Sequence, residues 1–467
     1  MIFKEEADFF KKEILEEKEA KIVIKDLNSF KENLIDNLVE TIISGVSSYI
    51  KKLCYWITYK CAQQVGIIPS SIQGLYEAKG RKEIDNFTVP AINLRTLTFD
   101  LARAVFKAAK EIDAGAFIFE IAKSEIGYTD QCPLEYTSLV LLAAMKEDYK
   151  GKVFLQGDHF QIKSSNFFKD KDKEINQLKE LIKEAIDASF YNIDIDSSTL
   201  VDLSKPTIDE QQKLNYEVCA LFTKFIRELQ PPHIEVSVGG EIGEVGGKNS
   251  TPQELKAFME GYLKEIQGIK GISKISIQTG TTHGGVVLAD GSIAKVKIDF
   301  DTLERLSQVA KDQYQLAGCV QHGASTLPPE AFHHFPQKGC AEIHLATQFQ
   351  NIVYEYLPLP LKEEIYAWLH KNCAQERKPE WTDDQFIYKT RKKALGPFKK
   401  EIYSIGMDLR EKILFALEKE FSFLFEQLNI KNTKELVEKY VEPIAIEKTK
   451  DDFLKETKSL GDLEGAD

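Results

Sequence analysis

Residues 152–163 read KVFLQGDHFQIK, and the reading of this stretch decides the fold. Val153, Phe154 and Leu155 form an apolar run with the length and bulk of a buried parallel strand. Gly157 breaks the run, and Asp158 and His159 follow at once. An acid beside an imidazole, where a buried strand ends, makes a compact site: one can hold a metal while the other moves a proton. A polar turn after a strand would read the same way. The stretch therefore points to chemistry only if the rest of the chain supplies partners.

Working outward, the same strand-then-helix pattern recurs on both sides. Strands are predicted at 87–93, 116–122, 152–158, 190–196, 233–243, 272–280, 318–325 and 340–347. Between them lie amphipathic helical stretches at 97–112, 133–147, 171–188, 207–229, 251–266 and 300–312. Thr251 stands three residues before Glu254, the spacing of a capping box. Eight strands alternating with helices predict an α/β (β/α)8 TIM barrel; a doubly wound open sheet is the alternative, and the count of eight favours closure. Residues 1–84 read as an N-terminal helical extension, because Ile35, Leu38, Ile42, Ile50, Leu53 and Ile57 recur at helical spacing. Residues 85–350 are the barrel. Residues 351–467 are a C-terminal helical arm with a long helix at 406–430 and a charged tail from about 446.

Composition narrows the class. The 467 residues are 43% hydrophobic and 29% charged, with a formal net charge of −12, which argues against nucleic acid as the main partner. No apolar run approaches the roughly 20 residues of a membrane span. The opening MIFKEEADFFKKEIL lacks the apolar core of a secretory signal. Seven cysteines without a C-x-x-C pair fit a reducing cytoplasm, and Cys54, Cys61, Cys219, Cys319 and Cys340 read as small buried hydrophobes.

Barrel enzymes carry their chemistry at the C-terminal ends of the strands. Here those ends offer Asp158 and His159, then Asp196, Glu241, His283, His322 and His344. Of eight histidines, four fall at such ends; His233, His333, His334 and His370 read as structural or solvated. Imidazoles from the third, sixth and seventh strands suit Zn²⁺ with an open position for substrate or water. Gly280, Gly284, Gly285 and Gly323 beside them would let backbone N–H groups approach an anion closely.

With these residues in place, the barrel resembles the class II, zinc-dependent fructose-bisphosphate and tagatose-bisphosphate aldolases. The resemblance runs from about residue 87 to residue 350. It rests on GDH (157–159), GGEIGEVGG (239–247), GTTHGG (280–285) and HGAS (322–325), supported by VPAIN ending in Asn93 and by YKTR (388–391). It implies that His159, His283 and His322 are zinc ligands, with Glu241 an auxiliary carboxylate near the metal. Asp158 would exchange a proton with the substrate hydroxyl at the bond being cleaved. The backbones of Gly284 and Gly323, with Ser325 and Thr347, would hold a phosphate. Asn93 would position the substrate, and Arg391 would meet a distal phosphate across a dimer interface. The implied cofactors are one catalytic Zn²⁺ and a monovalent cation. The implied partners are a small sugar phosphate and further copies of the chain in a homodimer or homotetramer, with no nucleic acid and no membrane. Zinc would stabilise the enediolate left by carbon–carbon cleavage, and a carboxylate would move the proton.

Three departures from the family pattern stand out. Lys248 and Asn249 occupy the place of two acids, leaving Glu244 as the nearby carboxylate. His344 replaces an asparagine at the end of the eighth strand; it could join the metal, replace that asparagine or pack. Ala122, beside Lys123, replaces a serine at the end of the second. These changes leave two alternatives to cleavage: a metal-dependent sugar epimerase or isomerase on the same barrel, or a non-catalytic accessory subunit, which GYTDQCPLEY (127–136) resembles.

Overall fold

The computed structural model describes residues 2–10, 13–18, 21–243, 247–280, 287–288, 298–455 and 463. Its strands, in chain order, are β1 (Leu15–Lys18), β2 (Lys21–Ile24), β3 (Ile67–Ser70), β4 (Val89–Asn93), β5 (Ile118–Ala122), β6 (Gly151–Gln161), β7 (Asn192–Asp196), β8 (Ser237–Glu241), β9 (Lys274–Ile277), β10 (Cys319–Gln321) and β11 (Glu342–Leu345). Each strand from β4 to β11 pairs in parallel with its chain neighbours, and β11 returns to β4, so eight strands close a ring. Closure excludes the open-sheet alternative. Nearly every residue of these strands is buried, as expected when helices cover one face of a parallel sheet and the barrel interior lies on the other.

The N-terminal extension differs from its reading as a helical layer. β1 and β2 form an antiparallel hairpin, and β3 joins the barrel sheet. β6 is eleven residues long, enough for two neighbours in succession on one edge. Its first part pairs with β3, from Ile67 opposite Gly151 to Ser70 opposite Phe154. Its later part pairs with β7, starting at Gln156 opposite Asn192. The Asn192 side chain bridges the junction: Oδ1 accepts from Ile72 N at 2.8 Å, and Nδ2 donates to Leu155 O at 2.9 Å.

The C-terminal arm packs on the barrel wall. Its helix Met407–Gln427 lies along the barrel helix Thr98–Glu111. Phe421 meets Phe349 with centroids 4.6 Å apart, and Phe425 stacks on Phe117. Arg410 forks onto buried Asp100, Nη2 donating to Oδ1 at 2.9 Å and Nε to Oδ2 at 3.1 Å, the two-point geometry that suits guanidinium and carboxylate. Farther on, Ile446 O accepts from Tyr59 Oη at 2.8 Å, tying the segment after the helix Thr433–Tyr440 to the helix Ser48–Gln64. The five cysteines read as buried hydrophobes are buried.

Candidate active site

A bulge in β6 makes the site. In a regular strand, consecutive side chains point to opposite faces, so Asp158 and His159 would diverge. Here the register with β7 slips between Gly157 and Phe160, and His159 takes a left-handed backbone with φ +40°. The extra residue turns both side chains into one cavity of about 130 Å³ at the C-terminal end of the barrel. Gly157 permits the bulge to pack: a Cβ there would sit 2.5 Å from the Phe160 ring.

Each functional side chain is held by a neighbour. Asp158 Oδ2 accepts from Asn93 Nδ2 at 3.0 Å, and Oδ1 lies 3.1 Å from His344 Nδ1. His159 Nδ1 lies 3.2 Å from Asp196 Oδ2, while Asp196 Oδ1 accepts from Ser198 N and Oγ. A carboxylate on Nδ1 orients the ring and assigns metal ligation to Nε2. His322 Nε2 lies 3.5 Å from Glu241 Oε2 and 3.1 Å from Ser276 Oγ. His159, Glu241 and His322 place ligand atoms within 4.8 Å of one another, as do Asp158, His322 and His344. The three rings stand in a row, with centroids 4.2 Å apart for His159–His322 and 4.0 Å for His322–His344.

The electrostatics follow from this crowding. Burial raises the Asp158 carboxyl, but the charges of His159 and His344 outweigh it and hold the group well below its ordinary range. Burial disfavours charge on His159 and His344, yet Asp158 and Asp196 around the first, and Glu120 and Asp158 around the second, hold both well above the usual imidazole value. A buried imidazole normally sheds its proton; these keep theirs because the carboxylates demand positive charge. A metal cation meets the same demand, so the donor set fits one.

The sequence-predicted residues distribute as follows. Asn93, Asp158, His159, His322, Gly323, Ser325, His344, Thr347 and Arg391 all line the cavity. Asp196 and Glu241 stand behind it, on His159 and His322. His283, Gly284 and Glu244 lie outside the described residues. Ser325 Oγ accepts from Ala346 N at 2.6 Å, fixing the loop before the helix Thr347–Tyr356, whose first residue opens on the cavity. Lys248 pairs with Glu254 at 3.0 Å, and Asn249 donates to Asp299. Lys123 Nζ donates to Gln161 O, and Lys123 does not line the cavity, whereas Ala122 does.

Arg391 lines the cavity of its own chain. Its guanidinium lies between the rings of Tyr354 and Tyr388, at 4.8 Å and 4.3 Å, and Nη2 donates to Asn351 Oδ1. The arm folds back on the barrel, and distances of that kind are invisible in a sequence.

Two groups of residues escaped sequence reasoning. At the mouth, Arg95 Nε donates to Glu125 Oε1 at 2.6 Å, and Glu125 Oε2 accepts from Asn93 Nδ2 and Ala122 N. Beneath the site, Lys274 Nζ donates to Gln156 Oε1 at 2.8 Å and Asp194 Oδ2 at 2.9 Å and contacts Glu342, which also binds Tyr76. Burial pushes Glu120 up to about 8 and Asp194 up to about 6, whereas Lys274 and His344 overcome burial to hold Glu342 at about 2. The second group had a signal: Glu120, Asp194, Lys274 and Glu342 each place a charge within a buried barrel strand.

A closed barrel with convergent imidazoles and carboxylates at its strand ends defines a (β/α)8 enzyme with a candidate metal centre. The family described as fructose-bisphosphate aldolase class-II matches residues 79–405, and the chain belongs to it; it is an aldolase by class, a carbon–carbon lyase. Among solved structures, a protein described as a probable tagatose 6 phosphate kinase from Sinorhizobium meliloti 1021 is 15% identical with a TM-score of 0.52, covering 76% of this chain and 99% of its own. That is a likeness of fold. The fructose-bisphosphate aldolase from Campylobacter jejuni is 19% identical with a TM-score of 0.46, covering 79% and 96%. The YdjI aldolase from Escherichia coli K12 is 12% identical with a TM-score of 0.47, covering 78% and 98%. No curated protein matches the chain. Among the described residues, no helix is long and apolar enough to cross a membrane.

Proposed function

We propose that the chain is a zinc-dependent aldolase that cleaves or forms a ketose phosphate or bisphosphate, such as fructose- or tagatose-1,6-bisphosphate. The observation that carries this reading is the bulged pair: Asp158 and His159 are consecutive, yet both face one cavity, against His322 and Glu241. His159 and His322, with Glu241 nearby and His283 in the segment outside the described residues, would hold the zinc. When bound, the metal supplies Lewis-acid stabilisation of the charge that cleavage leaves on the substrate oxygens.

The chain's own residues do the rest. Asp158, kept ionised by its neighbours, accepts the proton of the substrate hydroxyl in the cleavage direction and returns it in condensation. Asn93 and His344 grip its two oxygens, which fixes the direction of transfer. Gly323, Ser325 and Thr347 at a helix start suit one phosphate, with Gly284 as a further donor. Arg391, held between two tyrosines, suits a distal anion. A monovalent cation beside the zinc, residence in the cytoplasm and a homodimer or homotetramer go with this reading.

The test is a panel of ketose phosphates offered to metal-loaded wild type and Asp158→Asn. The expected result is release of a three-carbon phosphate by the wild type and its loss in the variant. Stereochemical inversion without fragment release would instead identify an epimerase, favoured by Lys248 and Asn249 standing where the family has acids. No turnover with any substrate would leave an accessory subunit.

A further inference from the structure

Arg95 is a buried guanidinium on the cavity wall. It follows the end of β4 by two residues, is 9% exposed, and lines the cavity with Thr347 and Gln350. Glu125, buried on the helix Lys123–Tyr128, accepts from Arg95 Nε on Oε1 at 2.6 Å. Its other oxygen, Oε2, accepts from Ala122 N and from Asn93 Nδ2, both at 2.9 Å. Asn93 Nδ2 also donates to Asp158 Oδ2 at 3.0 Å. One carboxylate therefore fixes both the guanidinium and the amide that touches Asp158. Arg95 Nη1 reaches Thr347 Oγ1 and Gln350 Oε1, each at 3.4 Å, near the long limit of a hydrogen bond. Thr347 opens a ten-residue helix, and a helix start carries partial positive charge that repels a cation. Lys389, Arg391 and Lys392 line the same cavity, and among the described residues the lining carboxylates are Glu125 and Asp158. An anion beside Thr347 relieves this crowding of positive charge, and the forked guanidinium matches the oxygens of a phosphate.

We propose that Arg95 is a specificity-determining residue that binds the substrate phosphate lying at Thr347, and that Glu125 is a positioning residue that holds Arg95 and Asn93 in one fixed geometry. The identity of the substrate rests on the aldolase reading. The phosphate and the hydroxyl that reacts at Asp158 are then set in register by a single buried carboxylate.

The experiment titrates inorganic phosphate into the full chain by calorimetry, in an Arg391→Ala background that removes the guanidinium assigned to the distal anion. The expected result is binding that weakens about 10–100-fold when Arg95→Met is added, with Arg95→Lys intermediate because it keeps the charge but not the fork. If circular dichroism shows that Arg95→Met does not fold, Arg95→Met/Glu125→Gln removes both buried charges together and takes its place. In the cleavage assay, Arg95→Met should raise KM more than it lowers kcat, whereas Glu125→Gln should lower kcat more than it raises KM. A Glu125→Gln loss confined to KM overturns the positioning role. No phosphate binding by Arg391→Ala, or equal affinity with and without Arg95, overturns the assignment of Arg95, and fragment release by the wild type then leaves the cleavage reading standing. Phosphate binding that is lost with Arg95, in a protein that releases no fragment, keeps the assignment and overturns the cleavage reading.

Discussion

At the residue scale, proton transfer falls to the Asp158 carboxylate and the distal anion to the Arg391 guanidinium. Asp158→Asn keeps the shape and the Asn93 contact region but removes the base. Its kcat should fall by roughly 10²–10⁴-fold with KM little changed, measured by steady-state kinetics on the metal-loaded protein. Equal activity in the variant would remove Asp158 from the mechanism. Arg391 offers charge-assisted hydrogen bonds of about 1.5–3 kcal/mol. Arg391→Ala should therefore raise KM for a bisphosphate by roughly 10–100-fold and for a monophosphate much less. An equal rise for both would show that the residue only packs between Tyr354 and Tyr388. The identities of Asp158, His159, His322 and Asn93 were legible in the sequence because GDH, HGAS and VPAIN set them at strand ends. Arg95 and Glu125 were not: neither sits in a motif, and only the folded chain brings the pair to Asn93.

At the element scale, β6 is the strand on which the site depends. Eight strands were legible because each apolar run is bounded by a glycine or polar cluster and followed by a helical pattern. The bulge was not, since a polar pair after Gly157 reads equally well as a turn. β3 was hidden too: IIPS is four residues long and contains Pro69, which argues against a strand, yet β3 is the outermost strand of its edge of the sheet, where proline is tolerated. Two variants probe β6. Gly157→Ala forces a Cβ to within 2.5 Å of the Phe160 ring; overpacking of this kind costs about 1–3 kcal/mol, read from urea denaturation, and should weaken metal binding because the bulge shifts. Unchanged stability and affinity would mean that the bulge tolerates relaxation. Asn192→Ala leaves Ile72 N without its acceptor and should cost about 1–3 kcal/mol, with less protection of the 67–72 amides in hydrogen exchange. Undiminished protection there would contradict the bridging role.

At the scale of the whole molecule, the two terminal layers meet over the barrel, and a buried lysine marks their contact. Burial lowers the Lys448 ammonium to about 8, only partly offset by Asp187, while Nζ donates to Asp187 O and Ser189 Oγ. A lysine with a depressed folded value binds fewer protons in the folded chain than in the unfolded one between about pH 8 and pH 10.4. Stability from this group therefore rises with pH across that window, and its cost is fully present below about pH 8. The difference in unfolding free energy between wild type and Lys448→Met should move in favour of the wild type as pH rises from 7.5 to 10, by up to about 3 kcal/mol. A pH-independent difference would show that Lys448 stays charged throughout. The arm's helices were legible as amphipathic stretches, but its return to its own chain's site was not, because helical periodicity carries no information on where a helix docks.

The central claim is a metal-dependent aldolase site built on the Asp158–His159 bulge. The most direct test measures release of a three-carbon phosphate from fructose- or tagatose-1,6-bisphosphate by purified protein, before chelation, after it, and after stepwise return of Zn²⁺. The expected result is activity that disappears with the metal and is restored as the first equivalent binds, with His159→Ala inactive throughout. Cleavage that survives complete metal removal, or a fully zinc-loaded wild type that releases no fragment from any ketose phosphate, would contradict it.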